Sequence, residues 1–412
     1  MIAPSPVDAS ELPLAGIRVV EFCQMVMGPS CGMILADLGA DVVKVEPLAG
    51  DRTRRLGGLA AGFFATFSRN KRSVALDTTT PEGQTVARRL VGASDVLIEN
   101  FRPGLMARFG LDYATLAPVL PRLIYCSLKG FLPGPYEKRT ALDEVVQMMG
   151  GLAYMTGPPG KPMRAGASVN DIMGGMFGVI AIQAALAARE RTGRGQHIQS
   201  ALFENNVFLM GQAMMFQAVT GRPVQPWSVK DAPWPVYDLF EMQDGSQMFV
   251  SIVGEEHWRD FCRSFARPEW LDDPRLATSA DRVAARPWLL PEIATLLKAR
   301  SPAELAATFE RLGLPFAPVR GPGELFEDAH LNASGGLLDI VLPDGRPTRI
   351  PALPVTLAGH RLPKRLDPPA AAGRDTDAVL RELGFEPAEI DRLVEAGAVG
   401  RGADEAGRPQ AA

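Results

Sequence analysis

The sequence predicts an α/β protein, in which a large domain with a doubly wound, Rossmann-like parallel sheet is joined to a smaller α+β domain. Short β-rich segments alternate with helical segments through the first half of the chain. The character then changes near Gly221, where a Pro- and Trp-rich stretch leads into a hairpin pattern. A chain of 412 residues with 46% hydrophobic content is also too long to form one compact unit.

The first segment predicts a strand, a helix and a second strand. Residues 17–22 (IRVVEF) and 41–46 (DVVKVE) are β-rich runs. Between them, GPS offers a helix start with Ser30 as a cap, and an apolar helix ends at Gly39. Such a unit predicts two parallel strands joined by a right-handed crossover.

The alternation continues along the chain. Strands are predicted at 71–77, 95–101 and 123–131, and a helix begins at Pro81 after a Thr cap. A long apolar helix follows Asp171. Its nearly uncharged part is just short of a membrane span, and the pattern favours a buried helix of a soluble α/β core.

Composition shifts predict the domain boundaries. We expect residues 1–224 to form the N-terminal part of the large α/β domain, and 225–330 to form the small domain, with a hairpin turning at QDGS. Residues 331–412 are expected to form a return linker and the C-terminal part of the large domain. Two short amphipathic helices and a disordered tail from about residue 400 complete this part.

Charge and cysteine usage narrow the function. A formal net charge of -4 and a pI near 5.8 argue against a nucleic-acid binder. The four cysteines and four histidines are scattered without metal-ligand spacing, so no metal site is expected. Scattered cysteines and the lack of a visible signal peptide predict a reducing, cytoplasmic location.

The common cofactor motifs are absent from the sequence. The first βα loop reads CQMVMGPS rather than GxGxxG, and neither GxxxxGK[ST] nor HExxH occurs. Candidate functional groups therefore lie at predicted strand ends and helix starts, where open α/β sheets place their sites.

Asp171 joins a small-residue loop (RAGASVN) to the long apolar helix. Helix N-terminal amides stabilise a negative charge there, and Gly174 and Gly175 allow a ligand to approach the backbone closely. An aspartate in this position also serves as a simple helix cap, which the spacing alone favours.

Two basic segments lie at the ends of predicted strands. FSRNKRS (67–73) precedes one strand, and ENFRPG (99–104), followed by Arg108, ends another. An aromatic ring with Asn can hold an adenine while Arg contacts phosphates. The alternative, a solvated basic edge, is favoured by these residues alone.

The motif order as a whole resembles the class III (CaiB/BaiF) CoA-transferases, a family that includes formyl-CoA transferase and carnitine CoA-transferase and shares its fold with α-methylacyl-CoA racemase. The resemblance rests on LAGIRVVEF…GP, LGADVVKVEP, NKRSVALD…TPEG, VLIENFRPG, a buried Asp and TGRGQ, and is strong from Gly16 to Glu204. It implies that Asp171 is the catalytic nucleophile.

The resemblance also implies a set of CoA contacts. Asn100, Phe101 and Arg102 match the adenosine site, and Arg108 matches a phosphate contact. Val26 and Met27 match positions near the thioester, and Leu76 and Thr79 match a second CoA segment. Thr140 and Asp143 match positions near the pantetheine end.

One departure bears on the reaction. The racemase has a His where this chain has Ala141-Leu142-Asp143, and a racemase needs an acid and a base on opposite sides of the α-carbon. Transferase is therefore the expected activity, and racemase or epimerase is the alternative.

The expected substrates are an acyl-CoA and a free carboxylic acid, with no permanently bound cofactor. Lys129 and Arg139 could pair with a second carboxylate and favour dicarboxylic acyl groups such as succinyl or mesaconyl; ordinary surface charges are an equal alternative. The resemblance implies an interlocked homodimer, and neither nucleic acid nor a membrane is an expected partner.

Overall fold

A computed structural model describes residues 9–229 and 234–402 of the chain. Two compact units are present, one formed by the chain up to Ser228 and from His330 onward, the other by Val229–Ala329. The sequence placed the corresponding boundaries at 224/225 and 330/331.

Strands and helices alternate through the first unit. In chain order the strands are β1 (Arg18–Phe22), β2 (Asp41–Glu46), β3 (Lys71–Leu76), β4 (Val96–Glu99), β5 (Ile124–Lys129), β6 (His197–Ala201), β7 (Val236–Glu241), β8 (Gln247–Ile252), β9 (Phe316–Pro318), β10 (Leu337–Val341), β11 (Pro347–Pro351), β12 (Thr356–Leu357), β13 (His360–Arg361) and β14 (Val399–Gly400).

In chain order the α-helices are α1 (Met27–Asp37), α2 (Phe63–Phe67), α3 (Pro81–Gly92), α4 (Leu105–Arg108), α5 (Tyr113–Leu116), α6 (Asp143–Met149), α7 (Leu152–Thr156), α8 (Val169–Thr192), α9 (Leu202–Thr220), α10 (Glu255–Ser264), α11 (Glu269–Asp272), α12 (Ser279–Ala284), α13 (Arg286–Lys298), α14 (Pro302–Leu312), α15 (Ala329–Ala333), α16 (Thr376–Glu382) and α17 (Pro387–Glu395).

The central sheet of the first unit has seven strands in the order β14-β3-β2-β1-β4-β5-β6. All neighbours pair in parallel except β14, which runs antiparallel along β3. The six parallel strands have the order of a dinucleotide-binding Rossmann sheet. The predicted α/β fold class is confirmed.

Two hydrophobic clusters cover the two faces of this sheet. Neighbouring residues of β1 point in opposite directions, so Val20 packs with Leu90 of α3 and Leu380 of α16, while Val19 packs with residues of α1 and α8. Helices therefore cover both faces, which makes the sheet doubly wound.

Buried ion pairs lie beneath α1. Glu21 on β1 accepts from Lys71 Nζ at 2.5 Å and from Lys44 Nζ at 3.3 Å, and Lys44 also pairs with Asp51 at 2.9 Å. All of these side chains are fully or almost fully buried. A Cβ at Gly32 of α1 would lie 1.9 Å from Glu21 Oε2, so only glycine lets this helix cover the charges.

Helix starts agree with the sequence at one position and differ at another. Thr80 accepts a hydrogen bond from Gly83 N at 3.1 Å and caps α3, as predicted. The prediction of Ser30 as the cap of α1 is wrong. The helix begins at Met27, and the Ser30 hydroxyl donates to Met27 O inside the first turn.

Two elements were missed by the sequence analysis. Helix α9 was not predicted, because its apolar side chains surround it and give no 3.6-residue period. The expected return linker contains the antiparallel hairpin β10–β11. The disordered tail was predicted to start at about residue 400, which is too early, because Gly400 pairs with Ala75 in the sheet. Residues 403–412 lie outside the described residues.

The second unit is α+β. The predicted hairpin is present as β7–β8, and β9 adds a third antiparallel strand. Its helices enclose a separate core around Phe261, Leu289 and Phe309.

Helix α8 is long and apolar enough to span a membrane by length and composition alone. One face packs in the core of the first unit through Val179, Ile182 and Ala185. On the other face, Met176 and Ile180 are exposed. A core helix of a soluble protein shows the same composition, so this feature decides nothing by itself.

Candidate active site

A cleft of the first unit lies where the strand order reverses. Strands β2 and β4 flank β1, so the connections after β1 and β4 leave toward opposite faces and open a crevice at their carboxyl ends. A cleft of about 640 Å³ lies there. Its lining residues are Gln24, Met25, Arg52, Asn100, Phe101, Arg102, Pro103, Gly104, Leu105, Arg108 and Leu142.

Asn100 ties the two loops of the cleft together. Its Nδ2 donates to Gln24 O at 2.7 Å, and its Oδ1 accepts from Gln24 N at 3.0 Å. Both ends of the amide therefore hold the β1–α1 loop, rather than pointing freely toward an adenine as the resemblance suggested.

Met25 has a left-handed backbone, with φ 66°. A non-glycine residue in this region costs on the order of 1 kcal/mol or more, and such strain persists only where the surroundings impose it. Gln24 and Met25 were not among the predicted site residues. The signal was the loop sequence CQMVMGPS itself, which replaces the glycine-rich turn of nucleotide-binding sheets.

Arginines make the cleft cationic although the chain is acidic overall. Arg102 and Arg108 were predicted at this site, and the structure brings them together with Arg52, which sequence reasoning missed. A guanidinium offers fork-shaped donors that suit phosphate and carboxylate oxygens, so this cleft is suited to an anionic ligand.

Asp171 is the third residue of α8, and the start of this helix is capped by the side chain of Asp143, a residue distant in sequence. Ser168 precedes the helix without a side-chain capping bond. Instead, Asp143 Oδ1 accepts from the backbone N–H of Asn170 at 2.8 Å and, more weakly, from that of Asp171 at 3.4 Å. Asp143 thus positions the turn that carries Asp171, whereas the resemblance suggested a pantetheine contact.

The second oxygen of Asp143 fixes the loop before α8. Asp143 Oδ2 accepts from Gln147 Nε2 at 2.5 Å and from Arg164 Nη2 at 3.4 Å. Gln147 Oε1 in turn accepts from Ala165 N at 2.8 Å. This network holds the loop and the start of α8 against α6.

The environment raises the pKa of the Asp171 carboxyl from 3.8 to about 7. Burial is the main cause, because it penalises the charged form, and the nearby Asp143 carboxylate adds repulsion. Arg164 acts in the opposite direction and lowers the pKa. Near neutral pH, Asp171 is therefore present in both protonated and ionised forms.

Asp171 is connected to the cleft through its neighbours. Met25 and Leu142, which directly precede Val26 and Asp143 in the chain, both line the cleft. Val26 belongs to a small apolar cluster with Ile172, and Asp143 bonds to the N–H groups of Asn170 and Asp171. Asp171 is not itself among the lining residues, but the loops that line the cleft also contact the first turn of α8.

Other predicted residues lie elsewhere. The side chains of Val26 and Met27 are buried in the core, and Leu76 is buried beneath α3. Thr79 is exposed and bonded to Asp77, and Thr140 is exposed. None of these residues lines the described cleft.

The two cations predicted to meet a second carboxylate have other partners. Lys129 Nζ donates to Glu99 and to Phe101 O, both at 2.7 Å. The Arg139 guanidinium is exposed and lies 4.9 Å from the centre of the Tyr136 ring. Neither side chain is therefore placed to meet a second carboxylate of the acyl group, as the sequence had suggested.

Comparison with known proteins decides the family. Residues 14–376 match the model of the family described as CoA-transferase family III. The chain belongs to this family. A curated relative of this CoA-transferase, the succinate–glutarate CoA-transferase of Agrobacterium fabrum, is 36% identical over 90% of the chain and 96% of its own length.

Further relatives agree. The succinyl-CoA:glutarate CoA-transferase of Mus musculus is 30% identical to this CoA-transferase over 94% of the chain and 90% of its own length. A solved CAIB/BAIF family protein from Brucella suis is 34% identical, with a TM-score of 0.81 over 90% of this chain and 99% of that one. These relatives favour transferase activity over the racemase alternative.

Proposed function

We propose that this family III CoA-transferase moves CoA from a dicarboxylic acyl-CoA to a free carboxylic acid, with Asp171 as the covalent nucleophile. The observation that carries the proposal is the place of Asp171, in the first turn of α8 against the loops that line the arginine-rich cleft, with its pKa raised to about 7. A partly desolvated carboxylate with a raised pKa is, in its ionised form, a stronger nucleophile than a carboxylate in water.

The first half-reaction exchanges the donor acid for CoA on the enzyme. An oxygen of ionised Asp171 attacks the thioester carbonyl, the C–S bond breaks, and CoA leaves as a thiolate. The product is a mixed anhydride between Asp171 and the donor acid. The thiolate then attacks the Asp171 carbonyl carbon, giving an aspartyl-CoA thioester and releasing the donor as a carboxylate.

The second half-reaction reverses these steps with a new acid. The acceptor carboxylate attacks the aspartyl thioester and expels the thiolate, which forms a second anhydride. The thiolate attacks the acceptor carbonyl of this anhydride, and the new acyl-CoA leaves ionised Asp171 behind. Each step exchanges one carboxylate or thiolate leaving group for another and no atom changes its oxidation state, so the proposed steps use no redox cofactor and none of them passes through a metal.

Backbone amides are the proposed stabilisers of the developing oxyanions. Helix α1 begins at Met27, two residues after Met25 of the cleft, without a side-chain cap. Pro29 has no N–H, and Ser30 N donates to Val26 O, so the N–H groups of Met27 and Gly28 are the proposed donors. Amide donors fixed before the reaction stabilise charge that appears in the transition state.

Dicarboxylic substrates are proposed because the relatives named above act on succinate and glutarate, or succinyl-CoA and glutarate. The arginines of the cleft suit substrates with carboxylate groups, and some of these arginines would also bind the phosphates of CoA.

The test is CoA exchange, followed by mass spectrometry, from succinyl-CoA to a panel of free carboxylic acids. Wild type is expected to form a new acyl-CoA, and Asp171→Ala is expected to form none while keeping its fold. Glu190→Gln, an exposed position at the far end of α8, is the control and should retain wild-type exchange. Turnover by Asp171→Ala at the wild-type rate would rule out Asp171 as the covalent nucleophile.

We also propose a homodimer in the cytoplasm. Exposed apolar side chains on α8 and α9, among them Ile180, Phe208 and Val219, support a subunit interface. Four free, buried cysteines support a reducing compartment. A monomeric mass by light scattering at working concentration would exclude the dimer.

A further inference from the structure

The loop before α8 carries a cation that the sequence analysis overlooked. The guanidinium of Arg164 lies 3.4 Å from Asp143 Oδ2, and the other oxygen of Asp143 accepts from the backbone N–H of Asp171. One carboxylate therefore lies between the guanidinium and the turn that carries the nucleophile.

The Arg164 side chain is held in place on one edge. Its Nε donates to Ala165 O and its Nη2 donates to Ala167 O, both at 3.2 Å. These bonds, with the one to Asp143, restrict the rotation of the guanidinium. A cation that is fixed in this way loses little conformational freedom when it binds an anion.

The Nη1 edge of the guanidinium is the less engaged one, since the hydrogen bonds of Arg164 use Nε and Nη2. Among the described residues, the acidic partner of Nη1 is the exposed Glu144, at 3.9 Å, which is beyond hydrogen-bonding distance. The Arg164 side chain is 39% exposed, so an incoming anion can reach it.

The two sequence candidates for this role are less suited. Lys129 is engaged with Glu99 and Phe101 O, and Arg139 stacks on Tyr136 without a contact to the α8 turn. Arg164, in contrast, shares a hydrogen-bonded partner with Asp171. In a dicarboxylic acyl group, the second carboxylate is only two or three methylenes from the reacting carbonyl.

We propose that Arg164 binds the second carboxylate of the acyl group through its Nη1 edge and thereby selects dicarboxylic over monocarboxylic substrates. This inference rests on the proposed function, since it presumes that acyl transfer takes place at Asp171. Arg164 is a specificity-determining residue and takes no part in the covalent steps.

The test compares Arg164→Gln with wild type, using glutarate and its monomethyl ester as acceptors of similar length. Loss of one charged hydrogen-bonding partner should lower kcat/KM for glutarate roughly 10- to 100-fold, mainly through KM. The monomethyl ester should change by less than about 3-fold, because it presents no second charge. Arg164→Lys keeps the positive charge but loses the two-pronged guanidinium. Its kcat/KM for glutarate should lie between the values of wild type and Arg164→Gln.

The control is Arg139→Gln, which removes an exposed arginine outside the site and should leave the preference unchanged. Assays at about pH 9 keep Asp171 ionised in both proteins, so a changed pKa cannot imitate the effect. An equal loss for glutarate and its ester would overturn the proposal, because it would indicate that Arg164 acts only by supporting Asp143.

Failure of the proposed function gives a different result. If wild type transfers CoA to no acid, that function falls, and calorimetric binding of glutarate still tests Arg164. Weaker binding by Arg164→Gln would then support the carboxylate site, and equal binding to wild type and variant would overturn it.

Discussion

At the residue scale, Asp143 is linked to Asp171 both by hydrogen bonding and by charge. Its carboxylate accepts from the backbone of the first turn of α8, and the same negative charge raises the pKa of Asp171. Its substitution therefore affects both the position and the ionisation of the nucleophile.

Transfer should depend on pH through Asp171. The ionised form attacks the thioester, so kcat/KM should rise with pH and level off above about 7. Asp143→Asn keeps an oxygen that can accept from Asn170 N but removes the repelling charge. The pKa of Asp171 should fall, and the rising limb of the pH–rate profile should move to lower pH. An unchanged limb in Asp143→Asn would contradict this electrostatic coupling.

Part of the site could be predicted from sequence, because its residues lie near strand ends and helix starts. Arg102 and Arg108 follow β4, and Asp171 lies in the first turn of α8. The roles of Asn100 and Asp143 could not be predicted, because their partners Gln24 and Asn170 are distant in sequence, and only the folded loops bring them together. Lys129 was misread for the same reason, since its partner Glu99 lies on the neighbouring strand.

At the element scale, the close contact between α8 and α1 positions the nucleophile. A Cβ at Gly175 would lie 2.1 Å from Ser30 Oγ and 2.9 Å from Cys31 N. Glycine at this position lets the backbone of α8 approach α1, and the start of α8 is thereby held beside the β1–α1 loop.

Gly175→Ala should move α8 away from α1. Overpacking of this kind costs roughly 1–3 kcal/mol, and the displaced turn should also lower kcat. Thermal unfolding and CoA exchange measure the two effects. Gly92→Ala at the exposed end of α3, where nothing lies within 4 Å of the added carbon, is the control. Equal stability of Gly175→Ala and wild type would show that the contact is not tight.

Strands and amphipathic helices were predictable because their periodicity survives in the sequence. The β1, β2 and β3 runs and the two C-terminal helices belong to this class. Helix α9 could not be recognised, because exposed Phe208, Met215 and Val219 add to its apolar character on the side away from the core. The β10–β11 hairpin was hidden by prolines, which are tolerated in edge strands.

At the scale of the whole molecule, the sheet buries charges as well as apolar side chains. Glu21, Lys44, Lys71 and Asp51 link β1, β2 and β3 beneath α1. Burial lowers the pKa of Lys71, since it disfavours the charged amine, and the pairing with Glu21 opposes this effect. The pairs therefore depend on each other for neutralisation.

Lys71→Met should destabilise the first unit by about 3–5 kcal/mol, because among the described residues Glu21 then keeps just the longer bond to Lys44. Lys364→Met, in a partly exposed pair with Asp367 of the same unit, should cost less than about 1 kcal/mol. Denaturant unfolding of the two variants measures the difference. Equal losses of stability would mean that the buried pairs contribute no more than surface pairs.

The central claim is that Asp171 carries the acyl group and CoA in turn. The most direct measurement is to incubate the protein with succinyl-CoA, add hydroxylamine, and map the modified peptide by mass spectrometry. Hydroxylamine attacks an aspartyl anhydride or thioester and leaves a hydroxamate on the side chain. The account predicts a hydroxamate on Asp171 that requires succinyl-CoA. Continued CoA exchange with no hydroxamate on Asp171, or with one on another residue, would contradict it.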